Sequence, residues 1–333
     1  MHRHLVFLGA LAVILATTAP ATSQNAQWGR QYLPNVPVVT QKGHSLRFYD
    51  DVLKGKISVI SLIYTSCRDI CPVVTARLAQ LEDKLGESVG RDVFFVSISV
   101  DPVNDTPEKL REYAEAFQAG PGWTFLTGEP ENIKAIRYKL GDRGISLSEH
   151  RNEIMLYNDN TGEWERSSAF GDLNVLALTV RAMDPASRHP VRRAEDQKPQ
   201  LTNSHGSAGN SLPKAKADLV EPPGQAVFIR LCSGCHTIGR GDRVGPDLLG
   251  LSNRRSRDWI TRIITGPENM RLQGDPIAGA LAAKFPAVRM PNLGMSDQDA
   301  GDLIAYVDAK TYGVEADKKI PLAGHHDHHH HKH

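Results

Sequence analysis

Between residues 31 and 185, short apolar runs alternate with stretches of helical spacing. Ile57 to Tyr64 (ISVISLIY) and Val93 to Val100 (VFFVSISV) are nearly continuous apolar runs, the pattern of strands buried on both faces. Between them Val74, Leu78, Leu81 and Leu85 recur at helical intervals, which predicts a helix over 73–85. Asp105-Thr-Pro-Glu108 combines a capping residue with a proline in the first turn, so a helix should run from there to about Phe117. Trp123 to Leu126 predicts a short third strand, and Glu131 to Leu140 another helix. Ile154 to Tyr157 and Glu163 to Arg166 predict a hairpin around Asn160-Thr-Gly162, and Leu173 to Met183 a closing helix. Such alternation predicts an α/β sheet with helices on both faces.

From 186 to 223 the periodicity stops. Pro190, Pro199, Pro213, Pro222 and Pro223 stand among Ser, Asn, Lys and Arg. Such a stretch buries too little apolar surface to order itself, and predicts a flexible linker. From 224 to 313 the pattern is helical in short segments, a small all-α domain. Its last helix should be capped by Ser296 with Asp299, with Ala300, Leu303, Ile304 and Val307 facing inward. At the other end His2, Arg3 and His4 precede an apolar run from Leu5 to Ala16, then small residues up to Ala21. The run falls short of the ~20 residues a spanning helix needs. Residues 1–21 therefore read as a signal peptide, placing the protein in the periplasm, membrane-associated if the signal is retained.

Composition narrows the function. The 333 residues carry 39 Lys+Arg against 38 Asp+Glu, a net charge of +1, so no basic field for a nucleic-acid partner exists. Only four cysteines occur, too few for a disulfide-stapled fold, and they form two close pairs, Cys67/Cys71 and Cys232/Cys235.

The second pair lies in Cys232-Ser-Gly-Cys235-His236, expected at the end of a helix over Gln225 to Leu231. Two thiols at this spacing can add to the two vinyl groups of one haem, and the adjacent imidazole can bind its iron. A zinc knuckle would need a second ligand pair nearby, and none follows. The segment resembles class I cytochrome c over about 90 residues. The resemblance implies a second axial ligand from a downstream methionine, for which Met270, Met290 and Met295 are candidates. Arg289-Met-Pro-Asn-Leu-Gly294 looks like that family's distal loop, so Met290 is preferred and Met295 is the alternative. Gly245-Pro-Asp-Leu248 resembles the loop that orients the proximal histidine.

The first pair sits in Tyr64-Thr-Ser-Cys67-Arg-Asp-Ile-Cys71-Pro72, where a buried strand should end and a helix begin. Unpaired N–H groups and partial positive charge at a helix start favour thiolate, which attacks disulfides and binds soft metals. Two cysteines four residues apart there can point both sulfurs at one cation. This segment, with Ser97-Ile-Ser-Val-Asp-Pro102, Asp105-Thr-Pro107 and Trp123-Thr-Phe-Leu-Thr-Gly128, resembles the Sco/SenC family of copper-handling proteins over about 150 residues. The resemblance implies a thioredoxin-like fold and copper bound by Cys67, Cys71 and one later histidine, here His150, just before the strand at Ile154. Arg68 departs from the family, which commonly has proline there. The seven histidines within 324–333 are interrupted by Asp327 and Lys332, unlike an unbroken tag. Metal capture and a passive solvated tail are both open for them.

Together the resemblances imply a periplasmic copper-binding, haem-containing assembly factor. It would deliver copper to, or reduce the cysteine ligands of, the copper site of cytochrome c oxidase. Electrons would pass between haem c and the Cys/Cys/His centre, and a periplasmic electron donor or thiol reductant would be a further partner. That is a metallochaperone rather than a turnover enzyme. The alternatives are a thiol-disulfide oxidoreductase with Cys67 and Cys71 as its redox-active pair and no copper, and a simple electron carrier.

Overall fold

The computed structural model describes residues 29–144, 153–187 and 222–319, with the side chains of the last helix placed to 314. The signal-peptide, His150 and His-tail assignments lie outside these residues, as does most of the linker.

The N-terminal unit is built on one seven-stranded sheet. Its strands are β1 (Pro37–Thr40), β2 (Ser45–Arg47), β3 (Ile57–Ile63), β4 (Val93–Ser99), β5 (Trp123–Thr127), β6 (Glu153–Asn158) and β7 (Glu163–Ser168). They lie in the order β2-β1-β5-β4-β3-β6-β7. β3, β4 and β5 run parallel, and the flanking strands are antiparallel. Four helices, α1 (Cys71–Leu85), α2 (Pro107–Ala116), α3 (Pro130–Lys139) and α4 (Leu173–Ala182), complete the unit. The expected α/β alternation is therefore present, with two additions. β1 and β2 are too short to announce themselves; β1 exists because it pairs with the sheet edge at β5, and β2 because it pairs with β1.

β3 explains the layering. Ile57, Val59 and Ile63 join a core with α1, α2 and α4, whereas Ile60 and Leu62 join one with α3 and the turn Phe48–Leu53. A strand covered on both faces needs apolar residues at nearly every position. Of its two buried serines, Ser58 leaves its hydroxyl without a partner, whereas Ser61 is satisfied internally. The Ser61 and Ser97 hydroxyls lie 2.8 Å apart, and Trp123 Nε1 donates to Ser97 Oγ at 2.9 Å. At the β6–β7 turn Gly162 adopts φ +69°, a conformation that favours glycine.

The C-terminal unit is all helical. It contains α5 (Gln225–Val227), α6 (Leu251–Arg254), α7 (Arg257–Thr265), α8 (Pro267–Leu272), α9 (Pro276–Lys284) and α10 (Asp297–Lys319). The helix expected over 225–231 widens after Val227, and Ser233 N closes the wide turn on Phe228 O at 2.8 Å. Ser296 caps α10, exchanging hydrogen bonds with Asp299. Ala300, Leu303, Ile304 and Val307 are all buried, as expected. Phe228 packs on Tyr306, ring centres 5.2 Å apart. Gly224 crosses α10 where the Asp302 backbone leaves no room for a side chain.

The inner face of α1 anchors the cysteine-bearing turn to the sheet. Leu81 is fully buried there, so Leu81→Ala should cost about 2–5 kcal/mol in urea-monitored unfolding.

Candidate functional site

The first cysteine pair stands where β3 leaves the sheet. Cys67 N donates to Tyr64 O at 3.2 Å, closing a turn, and Cys71 is the first residue of α1. The helix starts earlier than its apolar spacing predicts because Pro72 fits a first turn, where its missing N–H costs nothing. Neither cysteine is in a disulfide, and 7% and 1% of each residue is exposed. The Cys71 thiol donates to the Cys67 sulfur. Together with the Asp69 N–H and the Tyr64 hydroxyl this outweighs burial and lowers the Cys67 pKa to about 5. Cys71 keeps the proton it shares with Cys67 and is desolvated, and both effects push its pKa well up. One sulfur is thus a thiolate at neutral pH and its neighbour a thiol.

Asp105 holds this turn in place. It is fully buried and accepts from Thr65 Oγ1 at 2.5 Å, Thr65 N at 3.2 Å and Ser99 Oγ at 2.6 Å. Expected at a helix start, it leaves the capping of α2 to Thr106, whose side chain accepts from Lys109 N. The DTP motif marks the segment in sequence, but only the fold brings Asp105 to Thr65.

The third expected ligand, His150, lies outside the described residues, and no group of three metal-binding side chains occurs among those described. β6 runs antiparallel to β3, pairing Ile57 with Asn158 and Ile60 with Met155. Glu153, at the start of β6, therefore lies at the sheet end from which β3 leads to Cys67.

The second pair lines an apolar cleft. His236, Met290 and Met295 also line it, whereas Met270 is packed in the small core with Trp259 and Ile304. His236 Nδ1 lies 2.9 Å from Pro246 O. A carbonyl only accepts, so Nδ1 carries the hydrogen and Nε2 keeps its lone pair. Burial lowers the His236 pKa and keeps the ring neutral. A β-carbon at Gly245 would come within 2.6 Å of the ring, so glycine is required beside it. Burial pushes the thiols of Cys232 and Cys235 up to about 12, the opposite of Cys67.

Two thiols, a neutral imidazole and two thioethers around one apolar cleft fit a covalently held haem. A further fit went unseen in sequence. Arg271 lines the cleft with its Nε buried and without a partner, as a carboxylate-bearing ligand requires. Asp247 braces the proximal loop. Burial alone would raise its pKa, but donors from Gly239, Leu249, Thr237 and Gly241 hold it at about 2.

The two sites adjoin through α1. Val73, two residues after Cys71, lines the cleft. Further along the same face, Arg77 Nη1 donates to Ile229 O at 3.1 Å and Gln80 Nε2 to Ser233 Oγ at 3.0 Å. Val244 of the C-terminal unit is buried in the core shared with α1.

Comparison with known proteins follows these two units. The SCO1/SenC family model matches residues 32–153, and the Cytochrome c model matches residues 222–310. The SCO2-like protein RT0576 of Rickettsia typhi is 30% identical over 142 residues, covering 41% of this chain and 67% of that protein. A putative copper-binding protein of Stutzerimonas stutzeri is 29% identical over 109 residues, covering 33% of this chain and 52% of that protein. The crystal structure of Arabidopsis thaliana ScoI with copper bound shares 27% identity at a TM-score of 0.39, covering 45% of this chain and 95% of that one. The chain spans from a quarter to two thirds of the length of the curated relatives it matches.

Iodoacetamide should alkylate Cys67 ahead of Cys71 at pH 6, with a rate that falls as the pH drops through about 5. Cys71→Ala removes the donated hydrogen bond and should slow that alkylation about tenfold at pH 6, read by mass spectrometry. Asp247→Ala should cost about 1–3 kcal/mol in thermal unfolding of the C-terminal unit. Because the folded pKa lies below the ordinary 3.8, the carboxylate's contribution is present above that value. It is lost as the pH falls toward about 2, and the variant should lack that acid limb.

Proposed function

The chain belongs to the SCO1/SenC family, and from that premise we propose that it is an exported, haem-bearing copper-handling protein serving the copper site of cytochrome c oxidase. Its architecture is a thioredoxin-like α/β domain followed by a small all-α cytochrome c domain. Cys67 and Cys71 hold copper as cargo, with His150 as the third ligand. Two soft sulfurs and one imidazole suit Cu(I) and accept Cu(II). Cys232 and Cys235 would carry the haem, and His236 and Met290 would bind its iron. Haem, when bound, supplies a one-electron centre. Held by two protein ligands, it would favour electron transfer over oxygen chemistry.

One observation carries the reading: a single helix joins the two centres. Cys71 begins α1, and Val73 of the same turn lines the cleft of Cys232, Cys235 and His236. An oxidase-assembly role rests on the relatives' family, and export on the leader pattern of residues 1–21. The protein then either delivers copper to the target site or reduces that site's cysteine ligands.

A second reading has its own support. An acidic Cys67 beside a Cys71 that keeps its proton is also the arrangement of an attacking and a resolving thiol. Copper titration of the reduced, haem-loaded protein separates the two. A stoichiometric copper signal in the parent chain, lost in Cys71→Ser with the haem spectrum unchanged, is the expected result. Stoichiometric copper persisting in Cys71→Ser would overturn the ligand assignment, and no copper in the parent would favour the thiol-disulfide reading.

A further inference from the structure

Arg68, between the two cysteines, is part of the domain contact. Its guanidinium Nη1 meets Glu268 Oε1 of α8 at 2.5 Å, and its carbonyl accepts from Asn292 N at 3.2 Å. Asn292 belongs to the loop that carries Met290. The other oxygen of Glu268 accepts from Arg271 Nη2 at 2.7 Å, and Arg271 also reaches Met290 O at 3.5 Å. A charge chain of Arg68, Glu268 and Arg271 therefore runs from the thiol turn to the wall of the cleft. Further along α1 the backbones approach closely. A β-carbon at Gly234 would come within 2.6 Å of Ala76 Cβ, so only glycine lets the Cys232–Cys235 segment lie on this helix. Asp83 and Arg243 add an ion pair at 3.6 Å.

We propose that Arg68 and Ala76 form a dock for the chain's own cytochrome c domain, which holds the Met290 loop over the thiol turn. That domain and any protein exchanging copper or disulfides with Cys67 and Cys71 must then use the surface in turn. The proposal rests on the function above for what is exchanged, but the docking itself needs only the contacts just described. Arg68 is 61% exposed, so its ion pair alone is weak, and the small-residue contact supplies the shape that makes the pairing specific. A linker of roughly 35 residues keeps the released domain at high effective concentration, so release is readily reversed.

Two variants of the full-length, haem-loaded, reduced protein test the dock. Arg68→Glu sets like charges against Glu268, and Ala76→Leu wedges a side chain against Gly234. Each should raise the radius of gyration in small-angle scattering. Each should also speed labelling of Cys67 by a polyethylene-glycol maleimide about tenfold, with a smaller gain for iodoacetamide. A negative charge beside Cys67 disfavours the thiolate, so faster labelling of Arg68→Glu reports access rather than acidity. Arg68→Lys, which keeps the charge, should behave like the parent. Unchanged scattering and labelling in both disruptive variants would overturn the dock, whatever the copper result. Copper content of the same samples reports separately on the function.

Discussion

Helix α1 is buried on two sides, and the rest of the arrangement depends on that. Its inner face, with Leu78, Leu81 and Leu85, closes the core over the sheet. Its other face, with Val73, Ala76 and Arg77, lies under the C-terminal unit. A helix so held cannot shift its first turn without loss of packing on both sides. That first turn carries Cys71, so the thiol pair inherits the rigidity of two cores. Arg77 shows the demand most plainly. Its buried guanidinium is satisfied by carbonyls of Ala169 and Gly171 in one unit and Ile229 in the other.

The two cysteine pairs are tuned in opposite directions by their surroundings. Cys67 receives hydrogen bonds from a thiol, an amide and a hydroxyl at the start of a helix, and these favour its anion. Cys232 and Cys235 face an apolar cleft where desolvation favours the neutral thiol. The first environment suits a nucleophile or a soft-metal ligand. The second suits sulfurs that end as uncharged thioethers in a haem pocket. Burial decides the second pair, whereas specific donors override burial in the first.

The same division separates motif from support. His236 is marked as a candidate ligand by its place in the CxxCH segment, but its neutral tautomer is set by Pro246 O ten residues on, and that loop is braced by Asp247. Likewise the thiol turn is recognisable from its cysteines, while its geometry depends on Asp105 reaching back from beyond β4 to Thr65.

Much of this was legible in the chain itself. Apolar runs and helical spacing located β3 to β7 and α1 to α4, because a strand covered on both faces and a helix covered on one leave different periods. The CxxCH and CxxxC spacings announced both chemistries, since each needs its residues within one turn of backbone. The short strands β1 and β2 escaped because pairing, of β1 with β5 and of β2 with β1, and not their own residues, makes them strands. The roles of Arg271, Asp105 and Arg68 escaped for a related reason. A lone charged residue has no local signature, and its partner lies up to 200 residues away in sequence. Local periodicity and spacing are properties of neighbouring residues, so the sequence determined the elements and the reactive groups. Which of those groups meet is decided by packing between distant segments, and only the tertiary structure brought the thiol turn and the Met290 loop into contact, at Arg68 and Asn292.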